Sequence, residues 1–380
     1  MAHDPNPAHP SGDPLELSPG QAHRACARGA TLVDIRDAEE RALGWPEDSR
    51  SIPASMLRER CPNPPVILLC ARGVRSLAMA RDMAAAGIEG VHSVAGGLQA
   101  WQDAGLPVAY PDGIDAQAAE RYARQLVLPE VGPEGQRRLG RARVTLVGAG
   151  GLGSPAALYL AAAGVGHLRI VDHDTVARSN LHRQILHTDA GVGQAKAASA
   201  AARLNGLNPD VDVEAVGERL QSANVERLLE DSDVVVDGSD NFPTRYLVND
   251  ACLKLARPLV YGAVMRFEGQ ASVFDPASRR GFNPCYRCLF PEPPNVADAP
   301  NCATAGVLGV LPGLVGMVQA TETLKLLLGL GEPLVGRLLR IDALGMRFRE
   351  SALRADADCA WCAPGKPFPG YVDYEAFCSA

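Results

Sequence analysis

Two pairs of cysteines, Cys285-Tyr-Arg-Cys288 and Cys359-Ala-Trp-Cys362, have the spacing of paired zinc knuckles. Four thiolates so arranged form a closed tetrahedral set, which predicts a structural Zn2+ that clamps two stretches of chain and does no chemistry. A redox dithiol would need only one such pair, placed at a helix start. Another cysteine has a different setting. Pro65-Val-Ile-Leu-Leu69 reads as a strand and runs straight into Cys70-Ala-Arg-Gly-Val-Arg-Ser76, after which the sequence turns helical. Cys70 therefore falls in a tight turn whose backbone N–H groups, helix dipole, Arg72 and Arg75 all favour an anion and lower the thiol pKa below its usual value of about 8.5. A buried thiol at a strand end is the plainer alternative; the glycine and the paired arginines favour a reactive thiolate. Farther along, Val144-Thr-Leu-Val147 reads as a strand, and Gly148-Ala-Gly-Gly-Leu-Gly153 fits G-x-G-x-x-G before a helix start at Ser154. Gly148, Gly150, Gly151 and Gly153 would let phosphates approach the backbone, and Asp172, 19 positions beyond Gly153, is placed to hold ribose hydroxyls. Alone, that pattern reads as a nicotinamide-dependent dehydrogenase. Asn180, Arg183 and Lys196 then supply an amide and two cations in one short stretch, and Asp240 follows a later strand. These groups suit a triphosphate and Mg2+, which hydride transfer does not need.

The elements that must position these residues are legible as alternating patterns. Short β-rich runs at 31–34, 66–69 and 91–94 alternate with helical stretches such as 74–86, which predicts a small α/β domain with a parallel sheet. Residues 106–119, LPVAYPDGIDAQAA, replace that periodicity with two prolines, a glycine and small polar residues, as a linker does. Beyond it, strands are expected at 143–147, 167–171, 211–216, 233–237, 259–262 and 270–274, with an alanine-rich helix at 154–163. The expected organisation is a flexible tail over 1–14, a first domain over 15–107, a linker over 108–119, a second domain over 120–362 and a tail over 363–380. A length of 380 residues, at roughly 100 to 200 per domain, agrees with two or three domains. Hydrophobic residues at 47% and charged residues at 21% exclude wholesale disorder. A net charge of −7 and a pI near 5.7 argue against a phosphate-backbone binder, so nucleic acid is not an expected partner. The longest apolar stretch, 307–318, is interrupted by Pro312 and falls short of the roughly 20 residues of a membrane span, so no membrane partner is expected. The amino terminus has neither an apolar core nor a basic leader. Ten cysteines in that context read as metal ligands or reactive thiols of a cytoplasmic protein.

The first segment resembles the rhodanese domains from about residue 15 to 107. Its matching pieces are Leu32-Val-Asp-Ile-Arg36, the Cys70 loop, and Val91-His-Ser-Val-Ala-Gly-Gly-Leu-Gln-Ala-Trp101 through Ala104-Gly-Leu-Pro107. The resemblance implies that Cys70 carries a persulfide sulfur, its anion stabilised by the loop amides and Arg75. Four residues separate Cys70 from Arg75, a shorter spacing than in the related phosphatase loop, so the loop is the sulfur-sized one. One departure is Arg50-Ser-Ile-Pro-Ala-Ser55, where a His-Ile-Pro-Gly-type turn is usual. In the second segment, Arg121-Tyr-Ala-Arg-Gln125, the glycine run, Ser179-Asn-Leu-His-Arg-Gln184, Gly193-Gln-Ala-Lys196 and Gly238-Ser-Asp-Asn241 together resemble the MoeB/ThiF/HesA family of ubiquitin-activating-like adenylyltransferases. That implies a Rossmann-like domain with a mixed sheet and a structural zinc site. It implies Asp172 on the ribose, Asn180, Arg183 and Lys196 on the phosphates of ATP, and Asp240 on Mg2+. It further implies a homodimer in which Arg124 reaches into the neighbouring protomer's ATP site. Cys302, in Asn301-Cys-Ala-Thr-Ala-Gly306, matches a cysteine that can take up the activated carrier or its sulfur. Cys26, Cys61, Cys252 and Cys378 have no partner spacing and read as buried or incidental thiols.

Together the two resemblances imply ATP-dependent adenylylation of the C-terminal Gly-Gly carboxylate of a ubiquitin-fold sulfur-carrier protein, of the molybdopterin synthase small-subunit type. Sulfur from the Cys70 persulfide would then give a thiocarboxylate. The chemistry would rest on Cys70, Cys302, Arg75, Arg183 and Asp240, with a cysteine desulfurase or thiosulfate as sulfur donor. A thiamin-thiazole carrier is the alternative substrate within the family. From other classes, an NAD-dependent dehydrogenase and a catalytically silent sulfur sensor or scaffold are the alternatives.

Overall fold

The structure, a computed structural model, describes residues 13–293 and 306–372, and the chain divides into two units between Arg137 and Arg138. In the first unit the strands are β1 (Glu16–Leu17), β2 (Thr31–Asp34), β3 (Trp45–Pro46), β4 (Arg50–Ser51), β5 (Val66–Leu69), β6 (Val91–Val94) and β7 (Val108–Ala109). Five of them form a parallel sheet in the order β1-β6-β5-β2-β4, and β3 pairs antiparallel with β7. The central strands β2, β5 and β6 are buried along nearly their whole length, and alternate residues face opposite sides. Val33, Val66 and Leu68 join one apolar cluster with Ala80 and Met83, whereas Leu32, Ile67 and Leu69 join another with Leu98 and Trp101. Side chains of period two, apolar on both faces, are what a parallel sheet between helices requires. The variant turn at 50–55 is used as a sheet edge: Arg50 and Ser51 form β4, and the Ala54 N–H reaches the Ile35 carbonyl. The stretch read as a linker contains β7 and enters the helix Ala116–Arg121, which Asp115 caps.

In the second unit β8 (Arg143–Val147), β9 (His167–Val171), β10 (Asp212–Val216), β11 (Val234–Asp237), β12 (Leu259–Met265), β13 (Glu268–Phe274), β14 (Arg337–Asp342) and β15 (Arg347–Ala352) make one mixed sheet. The order is β10-β9-β8-β11-β12-β13-β14-β15, parallel as far as β12 and antiparallel beyond it. The chain moves outward from β8 to β9 and β10, then returns past β8 to β11, and such a reversal opens a crevice at the strands' carboxyl ends. Register aligns those ends. Val216 lies opposite Val171, Val171 opposite Val147, and Val147 opposite Asp237, so Gly217, Asp172, Gly148 and Gly238 leave the sheet at one level.

The helix Leu311–Leu328 and the hairpin β14–β15 are not anticipated by the sequence reading. Pro312 interrupts nothing: it sits in the first helical turn, where its missing N–H leaves no bond unmade. This helix runs close to the helix Gly153–Ala163; a Cβ on Gly316 would come within 2.4 Å of the Leu152 carbonyl oxygen. From its buried face Gln319 donates to the carbonyls of Asp237 and Val260, at 2.7 and 3.2 Å, fixing the end of β11. Among the described residues no helix is long and apolar enough to cross a membrane.

Candidate functional site

At the aligned strand ends lies a cavity of about 520 Å³ whose wall includes Gly148, Gly150, Gly151, Asp172, Arg183, Lys196 and Asp240. Gly148 has φ +97°, and a Cβ on Gly153 would stand 1.9 Å from the Gly148 carbonyl oxygen, so the helix can start here only with glycine. A Cβ on Gly150 would meet just Gln184 Nε2, at 3.6 Å; that backbone is open to a ligand. The Ala149 peptide between them is held at both ends. Its N–H donates to Asp172 at 2.8 Å, and its carbonyl lies 3.0 Å from His187 Nε2. A carbonyl only accepts, so Nε2 carries the proton and Nδ1 accepts from Ser199 Oγ, 3.0 Å away. Burial pushes the His187 imidazole below its ordinary value, and the charge of Lys196 acts in the same direction. Both effects favour the neutral ring over the imidazolium.

Lys196 opens the helix Lys196–Leu207 and is buried, with Nζ 2.8 Å from Asp174 Oδ2. Asp174 was not singled out from sequence, though Asp172-His-Asp174 offered the signal; Lys196 beside it holds its carboxyl below the ordinary range. Arg183 Nη2 donates to Asn180 Oδ1 at 3.0 Å. Asn180 is not among the residues lining the cavity and acts here on Arg183. Asp240 faces the cavity, exposed, with no side-chain hydrogen bond among the described residues. The turn that presents it is set by Asp237, which is buried and accepts from the Ser239 N–H at 2.9 Å and the Ser239 hydroxyl at 2.6 Å. Burial pushes the Asp237 carboxyl up, with Arg245 opposing. One exposed carboxylate with room for phosphate and water oxygens fits the preference of Mg2+. Arg124 is exposed on the helix Ala123–Leu126 of the first unit, and Cys302 lies outside the described residues.

Cys70 directly follows β5 and is buried; the loop turns at Gly73, φ +85°, into the helix Val74–Ala85. The Ser76 N–H and the Ser76 hydroxyl both lie 3.4 Å from Cys70 Sγ, and the Ser93 hydroxyl on β6 donates to Ser76 Oγ at 2.8 Å. Burial alone would push the Cys70 thiol up. The Ser76 hydroxyl and the backbone N–H groups of Ser76, Arg72 and Arg75 outweigh it and hold the thiol below its ordinary value. The Arg75 guanidinium, expected on the sulfur, is instead paired with Glu40. Glu40 is placed in turn by Arg36, whose Nη1 donates to the Glu40 carbonyl and whose Nη2 lies 2.7 Å from buried Asp34.

The two cysteine pairs meet. Sγ atoms stand 3.9 Å apart for Cys285 and Cys288, 3.8 Å for Cys285 and Cys359, and 3.4 Å for Cys288 and Cys362. A zinc tetrahedron with bonds of about 2.3 Å has edges of about 3.8 Å, so the four sulfurs fit that ion. Between the knuckles Arg287 pairs with buried Asp250 through two contacts of 2.8 Å and stacks 3.6 Å from the Trp361 ring centroid. Asp250 belongs to the helix Phe242–Leu255, whose cap Asn241 follows Asp240. Burial pushes the Cys26, Cys61 and Cys252 thiols up, as befits incidental thiols.

Comparison with known proteins matches residues 122–361 to the ThiF family and residues 18–104 to the rhodanese-like domain. The SAMP-activating enzyme E1 of Haloferax volcanii is 56% identical over 252 residues, which cover 66% of this chain and 92% of that protein. The sulfur carrier protein adenylyltransferase of Thermus thermophilus is 54% identical over 260 residues, 68% of this chain and 96% of that protein. The adenylyltransferase and sulfurtransferase MOCS3 of Sus scrofa is 51% identical over 261 residues, 68% of this chain and 56% of that protein.

Proposed function

The chain belongs to the ThiF family, with a rhodanese-like domain ahead of that family's own, and from this we propose that it adenylylates the C-terminal Gly-Gly carboxylate of a ubiquitin-fold sulfur-carrier protein and then thiolates it. The carrier is of the molybdopterin synthase small-subunit type. The observation that carries this reading is the cavity in which a glycine loop, Arg183, Lys196 and an exposed Asp240 converge. Two relatives named for carrier adenylylation and for combined adenylyl and sulfur transfer point the same way. The proposed domain limits are 15–107 and 120–362, and the proposed location is the cytoplasm.

In the first step the carrier carboxylate attacks the α-phosphorus of ATP. A carboxyl oxygen–phosphorus bond forms, the bond to the β-phosphate oxygen breaks, and pyrophosphate leaves. The obstacle is repulsion between two acids. Arg183, oriented by Asn180, and Lys196, drawn from Asp174 by the phosphates, offset it and stabilise the charge of the leaving group. Asp172 holds the ribose and Gly150 admits the phosphates. Mg2+, held by Asp240, would supply further neutralisation of the phosphate charge. Arg124 serves the site of the partner in a homodimer, and Zn2+ in the four-cysteine site is structural.

In the second step the terminal sulfur of Cys70 persulfide attacks the acyl carbon and AMP departs, leaving an acyl disulfide on Cys70. A second thiol, Cys302 or an external one, attacks the Cys70 sulfur; the thiocarboxylate leaves, and the resulting disulfide is reopened by a reducing thiol. Cys70 is recharged when its thiolate takes sulfane sulfur from a donor, a cysteine desulfurase or thiosulfate, which releases cysteine thiolate or sulfite. Covalent fusion raises the donor's effective concentration near a hydrolysable adenylate. The test is the mass of the carrier after incubation with enzyme, ATP and donor. Replacement of oxygen by sulfur is expected with the intact chain and is lost in Cys70→Ala, whereas ATP–pyrophosphate exchange survives that substitution. Loss of both activities in Cys70→Ala would contradict two separable steps.

A further inference from the structure

Val372 lines the nucleotide cavity although it lies ten residues beyond the last zinc-knuckle cysteine, Cys362. Its position is anchored by its neighbours. Phe368 and Tyr371 meet edge to face with ring centroids 5.2 Å apart, and Lys254 Nζ lies 5.5 and 5.6 Å from the two centroids. Lys254 also pairs with Glu226 at 2.6 Å, so one cation joins this strap to the helices Val225–Leu229 and Phe242–Leu255. Tyr371 packs against the apolar cluster that contains Leu220 and Leu247. Those two helices flank the cavity: Ala223 precedes the first, and Leu247 lies on the second.

The cavity wall has two chemistries. Gly150, Arg183 and Lys196 suit phosphates and Asp172 suits ribose, while Leu220, Ala223, Leu247 and Val372 are apolar. The part of a nucleotide left for the apolar wall is the planar base. We propose that Val372 forms part of the surface on which the nucleobase packs, so that the strap 368–372 takes part in nucleotide binding. This inference rests on the nucleotide reading of the cavity.

Calorimetric titration of the full chain with ATP and with inorganic triphosphate tests it. The unsubstituted chain binds both ligands, and Lys196→Ala weakens both. Val372→Asn, at a partly exposed position where folding is not at stake, weakens ATP about tenfold and leaves triphosphate unchanged. Tyr371→Ala, which frees the strap, has the same selective effect. Unchanged ATP affinity in both variants, or equal losses for ATP and triphosphate, overturns the role of the strap. A parent chain that does not bind ATP, or whose binding ignores Lys196→Ala, overturns the nucleotide reading instead.

Discussion

Ser76 contributes two donors to Cys70, one from its backbone and one from its hydroxyl, and both favour the thiolate. Ser76→Ala removes the hydroxyl donor, so the thiol pKa rises and the pH profile of iodoacetamide alkylation moves to higher pH. At pH 7 the rate should fall about three- to tenfold with an unchanged high-pH plateau; an unmoved profile would exclude Ser76 as a source of the acidity. Glu40→Gln should act in a different direction. Freed from its carboxylate partner, Arg75 can meet an anionic sulfur donor, and the KM for thiosulfate is expected to fall about threefold, as steady-state sulfurtransferase kinetics would show. Cys70 and its arginines were legible because they lie in one loop. Ser93 and Glu40 were not: Ser93 is brought to the loop by pairing of β5 with β6, and Glu40 by the buried Asp34–Arg36 pair. Asp174 is hidden in the sequence for a similar reason, since its partner Lys196 stands 22 positions away.

At the scale of elements, the glycine loop depends on the close approach of Gly153 to Gly148. Gly153→Ala places a methyl against backbone that cannot yield, and a loss of about 3 kcal/mol or more is expected in denaturant unfolding, with loss of ATP affinity. Equal stability would contradict the contact. His187 adds a pH dependence. Its folded value lies below the ordinary 6.5, so between those values the unfolded chain binds a proton that the folded chain does not. This contribution to stability is complete above the ordinary value and is lost as the pH falls below it; His187→Gln should flatten that slope in melts taken from pH 7 to pH 5. The strands at 143–147 and 167–171 and the helix after Gly153 stood out in the sequence because each pairs a strong pattern with a breaker. The helix Leu311–Leu328 did not, because it is apolar on most faces and begins with proline and glycine, which hide its period. The hairpin β14–β15 was hidden by exposure, since every residue of β15 is solvent-facing and its sequence lacks the alternation of a half-buried strand.

For the whole molecule, the cysteine knuckles join residues 74 positions apart and hold the helix that follows Asp240 through Asp250 and Arg287. Metal analysis of the purified chain should find about one zinc per chain. Cys359→Ser should abolish it and lower the Tm by about 10 °C; a metal-free chain of undiminished Tm would contradict the structural role. The paired spacing made this site legible, whereas the partner of the apolar strap was not, because nothing in residues 368–372 marks them as part of a nucleotide wall. The central claim is that Arg183, Lys196 and Asp240 allow a carrier carboxylate to attack ATP. It is tested most directly by ATP–pyrophosphate exchange with a purified ubiquitin-fold carrier ending in Gly-Gly. Exchange should require the carrier's terminal carboxylate and fall at least about a hundredfold in Asp240→Ala; exchange that is absent from the parent enzyme, or that persists undiminished in Asp240→Ala, would contradict the account.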